Sequence, residues 1–369
     1  VSKTIGVIGG GQLARMMITP AQELGLAIKV LAENEGSSAT LAATSVGDYT
    51  DYETVRRFAE TVDVITFDHE HVPLNILEKL EAEGVNVQPS SSALRFAQNK
   101  LAMRQKLSEL GLPVPDWAEV NSSVDLQTFL DKHNGVVVLK TPTGGYDGKG
   151  VKIVRSVEDA SDWLVKGQPL LVEEKVDFVR ELAQLSARNV SGDWSSWQVV
   201  QTIQVDGVCS EVLSPAPHAD ITSAAIIAKR IAEGLVVTGV LAVEMFETQD
   251  GKLLINELAM RPHNSGHFSI EGSTTSQFEQ HIRAVADLPL GDTAPSTAFS
   301  VMLNLLGVDD VNTFVEHYPE ALKVQGAHIH TYGKSARKGR KMGHITAVSN
   351  SSIDEARLIA LKAKEALHA

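Results

Sequence analysis

Two apolar stretches in the second half of the chain each carry a carboxylate. Val240–Phe246 reads VLAVEMF with Glu244 inside it, and Lys252–Leu258 reads KLLINEL with Asn256 and Glu257 near its end. Asp250-Gly251 between them is a short-range hairpin signal, so the two stretches are expected to pair as antiparallel strands. Burying an unpaired charge is costly. One such Glu is most simply met by a nearby Lys or Arg. Two on facing strands, with Asn256 beside them, suit Mg²⁺, which takes oxygen ligands together with substrate phosphates. Arg261-Pro262-His263-Asn264-Ser265-Gly266-His267 leaves the second strand directly and should line the same cleft.

A second hairpin lies upstream. Val136–Leu139 is a β-branched run ending in Lys140, and Val151, Ile153 and Val154 form another. Between them lie Gly144, Gly145, Gly148 and Gly150, with Tyr146, Asp147 and Lys149. Glycines let backbone N–H groups approach an anion closely, and a lysine at the mouth adds a point charge suited to phosphate. Taken alone, the loop equally fits a solvated hairpin tip. Leu170–Val176 is a strand that turns acidic at Glu173-Glu174-Lys175, a shape that suits an adenine-and-ribose edge or an exposed strand end. Glu181–Asn189 and Trp197–Gln204 continue the β pattern, and Ser223–Leu235 reads as a helix.

At the N-terminal end, strand Thr4–Ile8 runs into Gly9-Gly10-Gly11-Gln12-Leu13-Ala14 and a helix to about Leu24. A second strand, Ile28–Ala32, ends at Glu33. That is the dinucleotide-binding pattern, so an NAD-linked oxidoreductase has to be weighed. A tight turn that merely permits close packing, or a helix N-terminus that binds another anion, fits as well. Asp63–Phe67 is a third strand, followed by Asp68-His69-Glu70-His71 and a helix over Leu74–Glu83. His69 and His71 are expected to face solvent; Glu70 is kept as a candidate.

Ser91–Leu110 reads as one helix carrying Arg95 and Lys100, broken by Gly111-Leu112-Pro113-Val114-Pro115. Strands at Ala298–Gly307, Ala327–Gly333 and Met342–Val348 and a helix over Ile353–Leu367 close the chain. Five cations crowd Lys334–Lys341, either a solvated tip or an anion trap. The net charge of −13 argues against a general nucleic-acid or acidic-membrane surface. The single cysteine, Cys209, precludes an internal disulfide and suits a reducing cytoplasm; it reads as core filler. No apolar run reaches membrane-spanning length. At 369 residues, two or three domains are expected.

GGGQLARM, TPTGGYDGKG, LLINELAMRPHNSGH and GRKMGH, spread over nearly the whole chain, resemble the ATP-grasp carboxylate–amine ligases. The likeness is strongest to the branch that carboxylates 5-aminoimidazole ribonucleotide in bacterial purine biosynthesis. It implies an α/β and α+β architecture in three parts: a Rossmann-like parallel-sheet domain (1–97), an ATP-grasp domain (98–295, with a lid at about 113–183) and a small β-rich C-terminal domain (296–369). It implies that ATP and bicarbonate carboxylate the amine through a carboxyphosphate, in a cytoplasmic homodimer. ATP would be held by Arg95, Lys140, Gly145–Val151 (with Gly148 and Gly150), Glu173, Glu174, Lys175, Val176, Glu181, Asn256 and Glu257. Mg²⁺ would sit on Glu244 and Glu257. Gln12, Leu13, Glu70, His263, Asn264, Lys334, Arg340 and Lys341 would meet the ribonucleotide, and Tyr146, Asp147, Lys149 and His267 would serve catalysis. Three departures stand out: Lys149 where the family has Arg, Val200–Gln204 without the family's Asn and His, and Glu33 where Asp is usual. A formate-using glycinamide ribonucleotide ligase and a non-catalytic ATP sensor are the alternatives on the same fold.

Overall fold

The computed structural model describes residues 3–145 and 150–368. Thr4–Ile8, Ala27–Ala32, Ala43–Val46 and Val64–Phe67 form a parallel sheet with Thr4–Ile8 and Ala27–Ala32 at its centre. Ile5–Ile8 and Val30–Ala32 of its central strands are buried; Leu13, Ala14 and Met17 of helix Gln12–Glu23 pack on Ile5 and Val7.

Nine antiparallel strands make the main sheet. The hairpin Gly239–Thr248/Leu253–Ala259 forms one edge, next to the long strand Phe178–Arg188. The C-terminal strands Phe299–Leu306, Lys341–Ser349 and Ala327–Thr331 extend this same sheet through Val208–Ser214. Helix Ile221–Gly234 buries Ala224, Ile227, Ala228 and Ile231 with Leu182, Leu241 and Val243, each large aliphatic worth about 1.5–3 kcal/mol. Helix Ile353–His368 does the same with Ala356, Ala360, Ala363 and Leu367 over Val301, Leu303 and Ile345.

A smaller antiparallel sheet, in the order Trp117–Val120, Leu170–Glu174, Val137–Lys140, Val151–Val154, carries the Gly-rich hairpin. Val137 pairs with Val154 and Lys140 with Val151.

The expected helix over Ser91–Leu110 is two helices, Ser91–Gln98 and Lys100–Glu109. Asn99 lies between them in an extended conformation (φ −130°, ψ 109°), and its side chain accepts from Ala102 N–H. An Asn that caps the next helix offers the backbone a better partner than helix continuation does.

His281, fully buried, bolts the parallel sheet to the main one. Val240 N–H donates to its Nδ1 at 3.0 Å, which leaves Nε2–H to donate to Thr66 Oγ1 at 2.8 Å. Burial holds its pKa down at about 3.

Candidate active site

A cavity of ≈ 990 Å³ opens between the small sheet and the main sheet. Glu244 and Glu257 line it and are register partners on the facing strands of the edge hairpin. Burial, followed by the like charges of Glu257 and Glu181, pushes the Glu244 carboxyl up to about 7. Its neighbour His263 (Nε2 to Glu244 Oε1, 3.5 Å) is held neutral by burial, with its pKa near 3. Glu257 pairs with Lys100. Among the described residues no three His, Cys, Asp or Glu side chains group as a metal site. Two carboxylates that repel each other beside an anion pocket nonetheless fit a Mg²⁺ whose other ligands are phosphate and water oxygens.

Lys140, at the end of its strand, reaches across to the main sheet, where its Nζ bonds Asn256 Oδ1 at 3.1 Å. The same ammonium pairs with Glu173 at 2.6 Å, and the fully buried Arg104 pairs with the other Glu173 oxygen. Burial alone would raise the Glu173 carboxyl, but Arg104 and Lys140 outweigh it and the net shift is downward. Both oxygens of that carboxylate are therefore engaged by cations, not presented to a ribose. Glu174, Lys175 and Val176 follow it along the cavity wall. Glu174 also accepts from Asp116 N–H at 2.8 Å.

An apolar slot lies next to this strand, lined by Val138, Val151, Ile153, Val176 and Phe246. Phe178 stacks on Phe246 with ring centroids 4.7 Å apart and planes 16° apart, which gives the slot a flat floor suited to a purine ring. Glu181 faces the same space; burial raises its pKa, and a hydrogen bond from Gln204 partly offsets that. Thr202 and Gln204, not Gln201, line the cavity. Alternation along a strand puts 202 and 204 on one face and 201 on the other.

Beyond the carboxylates stand Glu70, His263, Asn264 and Lys341. Glu70 accepts from Met260 N–H at 2.6 Å and lies 3.3 Å from Arg261 Nε. Asn264 exchanges two side-chain hydrogen bonds with Asn304, at 2.9 and 2.7 Å. His263 is fixed from behind: Gln277, itself fully buried, accepts from its N–H and donates to its C=O, both at 2.8 Å.

The structure does not bring His267 to the cavity. It is fully buried behind the wall, with Nδ1 2.9 Å from Gln277 Nε2 and Nε2 without a hydrogen-bond partner. Arg95 also misses: it is exposed on its helix, over the Phe96 ring, while Lys100 of the next helix lines the cavity. Leu13 is buried in the core of the parallel-sheet region. Gly145 and Val151 line the cavity, whereas Gly150 (φ +72°) closes the hairpin by accepting from Thr141 N–H. Tyr146, Asp147, Gly148 and Lys149 lie outside the described residues.

Gln12, Lys334 and Arg340 gather at the start of the first helix. Lys334 Nζ donates to Gln12 Oε1, and its pKa falls to about 8, chiefly by burial and then by Arg340. Lys341, which lines the cavity, adds to that repulsion and connects the two places. The glycine turn has no seat for a pyrophosphate. Asp68 Oδ1 accepts from Ala14 N–H at 2.7 Å, and a Cβ on Gly11 would meet Asp68 Oδ2 at 2.2 Å. Glu33 accepts from Gly10 N–H at 3.0 Å, and its pKa is held at about 2 first by His69. The protein's own carboxylates fill the place a dinucleotide needs, so the oxidoreductase reading falls.

Sequence reasoning passed over Lys100, Thr202 and Gln204 as site residues, and Arg104 and Gln277 altogether. Strand alternation carried a signal for 202 and 204. Nothing local marked Arg104, whose partners lie 69 and 152 residues along the chain, or Gln277, which reaches back 14 residues to His263.

Residues 2–98 match the ribonucleotide synthetase preATP-grasp domain family, 105–278 the ATP-grasp domain, and 300–357 the phosphoribosylaminoimidazole carboxylase C-terminal domain. The N5-carboxyaminoimidazole ribonucleotide synthase of Mycobacterium tuberculosis (strain ATCC 25618 / H37Rv) is 46% identical over 359 residues, covering 94% of this chain and 83% of that protein. The chain belongs to the N5-carboxyaminoimidazole ribonucleotide synthase family. Solved N5-carboxyaminoimidazole ribonucleotide synthases share its architecture: a parallel-sheet domain, an ATP-grasp domain and a small C-terminal domain. One in complex with ADP superposes with a TM-score of 0.88 at 35% identity, covering 100% of this chain and 96% of that one. The Aspergillus clavatus N5-carboxyaminoimidazole synthase, solved with ADP and 5-aminoimidazole ribonucleotide, gives 0.89 at 32% identity, covering 100% and 99%. By family this chain is therefore an ATP-grasp ligase.

Proposed function

We propose that the protein joins bicarbonate to the amine of 5-aminoimidazole ribonucleotide at the cost of ATP, in purine biosynthesis. The observation that carries this reading is the cavity itself. It sets Glu244 and Glu257 against Lys140 and Asn256 on one side and against Glu70, His263, Asn264 and Lys341 on the other. That is room for a nucleotide triphosphate and a second, phosphate-bearing substrate with their reacting ends together.

A bicarbonate oxygen attacks the γ-phosphorus and ADP leaves. The amine nitrogen then attacks the carbonyl carbon of the carboxyphosphate; the C–O bond breaks, phosphate leaves and the amine loses a proton. Catalysis of such a transfer is largely positioning and charge stabilisation. Lys140 and Asn256 hold the phosphates. Val176 and its neighbours border the base, with Glu181 and Gln204 beside the ribose. Glu244 and Glu257 would hold Mg²⁺, which would neutralise phosphate charge. Lys334, Arg340 and Lys341 take the 5′-phosphate of the ribonucleotide, with Gln12 holding Lys334 in place. Neutral His263 and the Asn264–Asn304 pair orient the amine end. Tyr146, Asp147 and Lys149 are assigned to the carboxylating intermediate through family resemblance.

ADP formation tests the assignment. It should require bicarbonate and 5-aminoimidazole ribonucleotide together, and formate with glycinamide ribonucleotide should not replace them; equal stimulation by the formate pair would move the protein to the neighbouring ligase. A homodimer, expected from the resemblance, is tested by light scattering. No helix among the described residues is long and apolar enough to cross a membrane, and a cytoplasmic location is part of the same proposal.

A further inference from the structure

Arg104 touches nothing in the cavity, yet it completes a closed ring of side chains behind it. Its Nε pairs with one oxygen of Glu173, whose other oxygen lies 2.6 Å from Lys140 Nζ. Lys140 Nζ donates to Asn256 Oδ1 at 3.1 Å, and Arg104 Nη2 donates to the backbone oxygen of that same Asn256 at 2.7 Å. The ring joins three segments: the helix Lys100–Glu109, the small sheet through Glu173 and Lys140, and the edge strand Leu253–Ala259. Arg104 is inaccessible and off the cavity, while Lys140, Asn256 and the nearly inaccessible Glu173 line it.

The charges decide what the ring does. Lys140 and Glu173 alone would be a neutral buried pair with little pull on an anion. Arg104 adds a permanent positive charge, because a guanidinium does not deprotonate in proteins. Two cations then share one carboxylate, and the ring carries a net charge of one, displayed to the cavity through the Lys140 ammonium. Lys100, the next cation, is matched separately by Glu257.

We infer that Arg104 is a positioning residue for nucleotide binding: by engaging Glu173 it leaves the positive charge of Lys140 available to phosphate and fixes Lys140 against Asn256. This rests on the reading of the cavity as an ATP site and names a residue that acts on it from outside. Arginine suits the task because its planar fork reaches a carboxylate and a carbonyl at once.

The test is calorimetric binding of ADP and of adenosine to the full-length protein and its variants. Arg104→Met should weaken ADP by roughly ten- to a hundredfold and adenosine by less than about threefold, since the lost charge acts on phosphate through a medium of intermediate dielectric. Arg104→Lys, which keeps the charge, should retain most of the ADP affinity. The double variant Arg104→Met/Glu173→Gln restores the net charge on Lys140 and should recover most of the loss, so it remains informative if Arg104→Met does not fold. Parallel loss of adenosine and ADP, or a double variant no tighter than Arg104→Met, would overturn the inference and leave a structural role. Unchanged ADP binding in Arg104→Met sinks this inference alone. Failure of the wild-type protein to bind ADP sinks the nucleotide reading and the inference with it.

Discussion

Glu244 and Glu257 stand opposite each other in the register of the edge hairpin, and Lys100 forms its ion pair with Glu257. Burial and the like charges of Glu257 and Glu181 keep the Glu244 carboxyl raised although Lys341 and Lys100 draw it down, and on the proposed reading it takes, beside neutral His263, a cation that arrives with substrate. Glu244→Gln should fold normally, bind adenosine as before and lose roughly a hundredfold or more in kcat, the scale of removing one electrostatic contact to the reacting group. Initial rates against Mg²⁺ concentration check it; a variant with wild-type rate and Mg²⁺ dependence contradicts it.

On the proposed reading Lys334 receives the 5′-phosphate of the ribonucleotide, which it can do only while protonated. Its pKa near 8, lowered chiefly by burial, places the loss of that charge within reach of ordinary assays. The KM for the ribonucleotide should therefore rise as pH passes from about 7 to about 9.5, while the KM for ATP moves less. Lys334→Arg should flatten the rise. Lys334→Ala should raise the ribonucleotide KM by roughly tenfold or more at neutral pH, in line with a lost charged hydrogen bond.

How far residue patterns reached is visible in these same positions. The hairpin with Glu244 and Glu257, the strand ending in Lys140 and the first βαβ unit were legible because alternation, Asp-Gly and glycine spacing are local signals. A continuous helical pattern over Ser91–Leu110 hides the Asn99 cap that separates Arg95 from Lys100; Arg95 rests on the family resemblance alone. His267 was placed in the site by its neighbours in sequence, but the short helical turn after Asn264 carries it behind the wall, onto Gln277. The acidic end of Leu170–Val176 suits a ribose edge in sequence, but both oxygens of Glu173 are taken by cations, Arg104 from 69 residues upstream and Lys140 from the adjacent strand.

His281 sets an acid limit on stability. Its folded pKa of about 3 lies below the ordinary value near 6.5, so the folded state disfavours the proton. The stability it contributes is complete above about pH 6.5 and is lost as pH falls toward 3, on the order of 5 kcal/mol at most. Urea unfolding between about pH 7 and about pH 4 should show a steep decline, shallower in His281→Gln. Identical slopes would show that the other buried histidines account for all of it.

Gln277 grips both backbone groups of His263. Gln277→Met removes those bonds at similar volume and leaves two polar groups unmet, a cost of about 1–3 kcal/mol each at worst. The expected signature is a lower melting temperature together with a reduced kcat and a near-normal KM for ATP. A melting change with kcat untouched would mean that the His263 position does not matter to the reaction.

Oxygen transfer from bicarbonate tests the central claim most directly. With ¹⁸O-labelled bicarbonate, ATP and 5-aminoimidazole ribonucleotide, the oxygen that attacks the γ-phosphorus stays with it when the C–O bond breaks. The phosphate released should carry one ¹⁸O by mass spectrometry, in step with the carboxylated product. Phosphate labelled only from water, with no carboxylated amine, would contradict it.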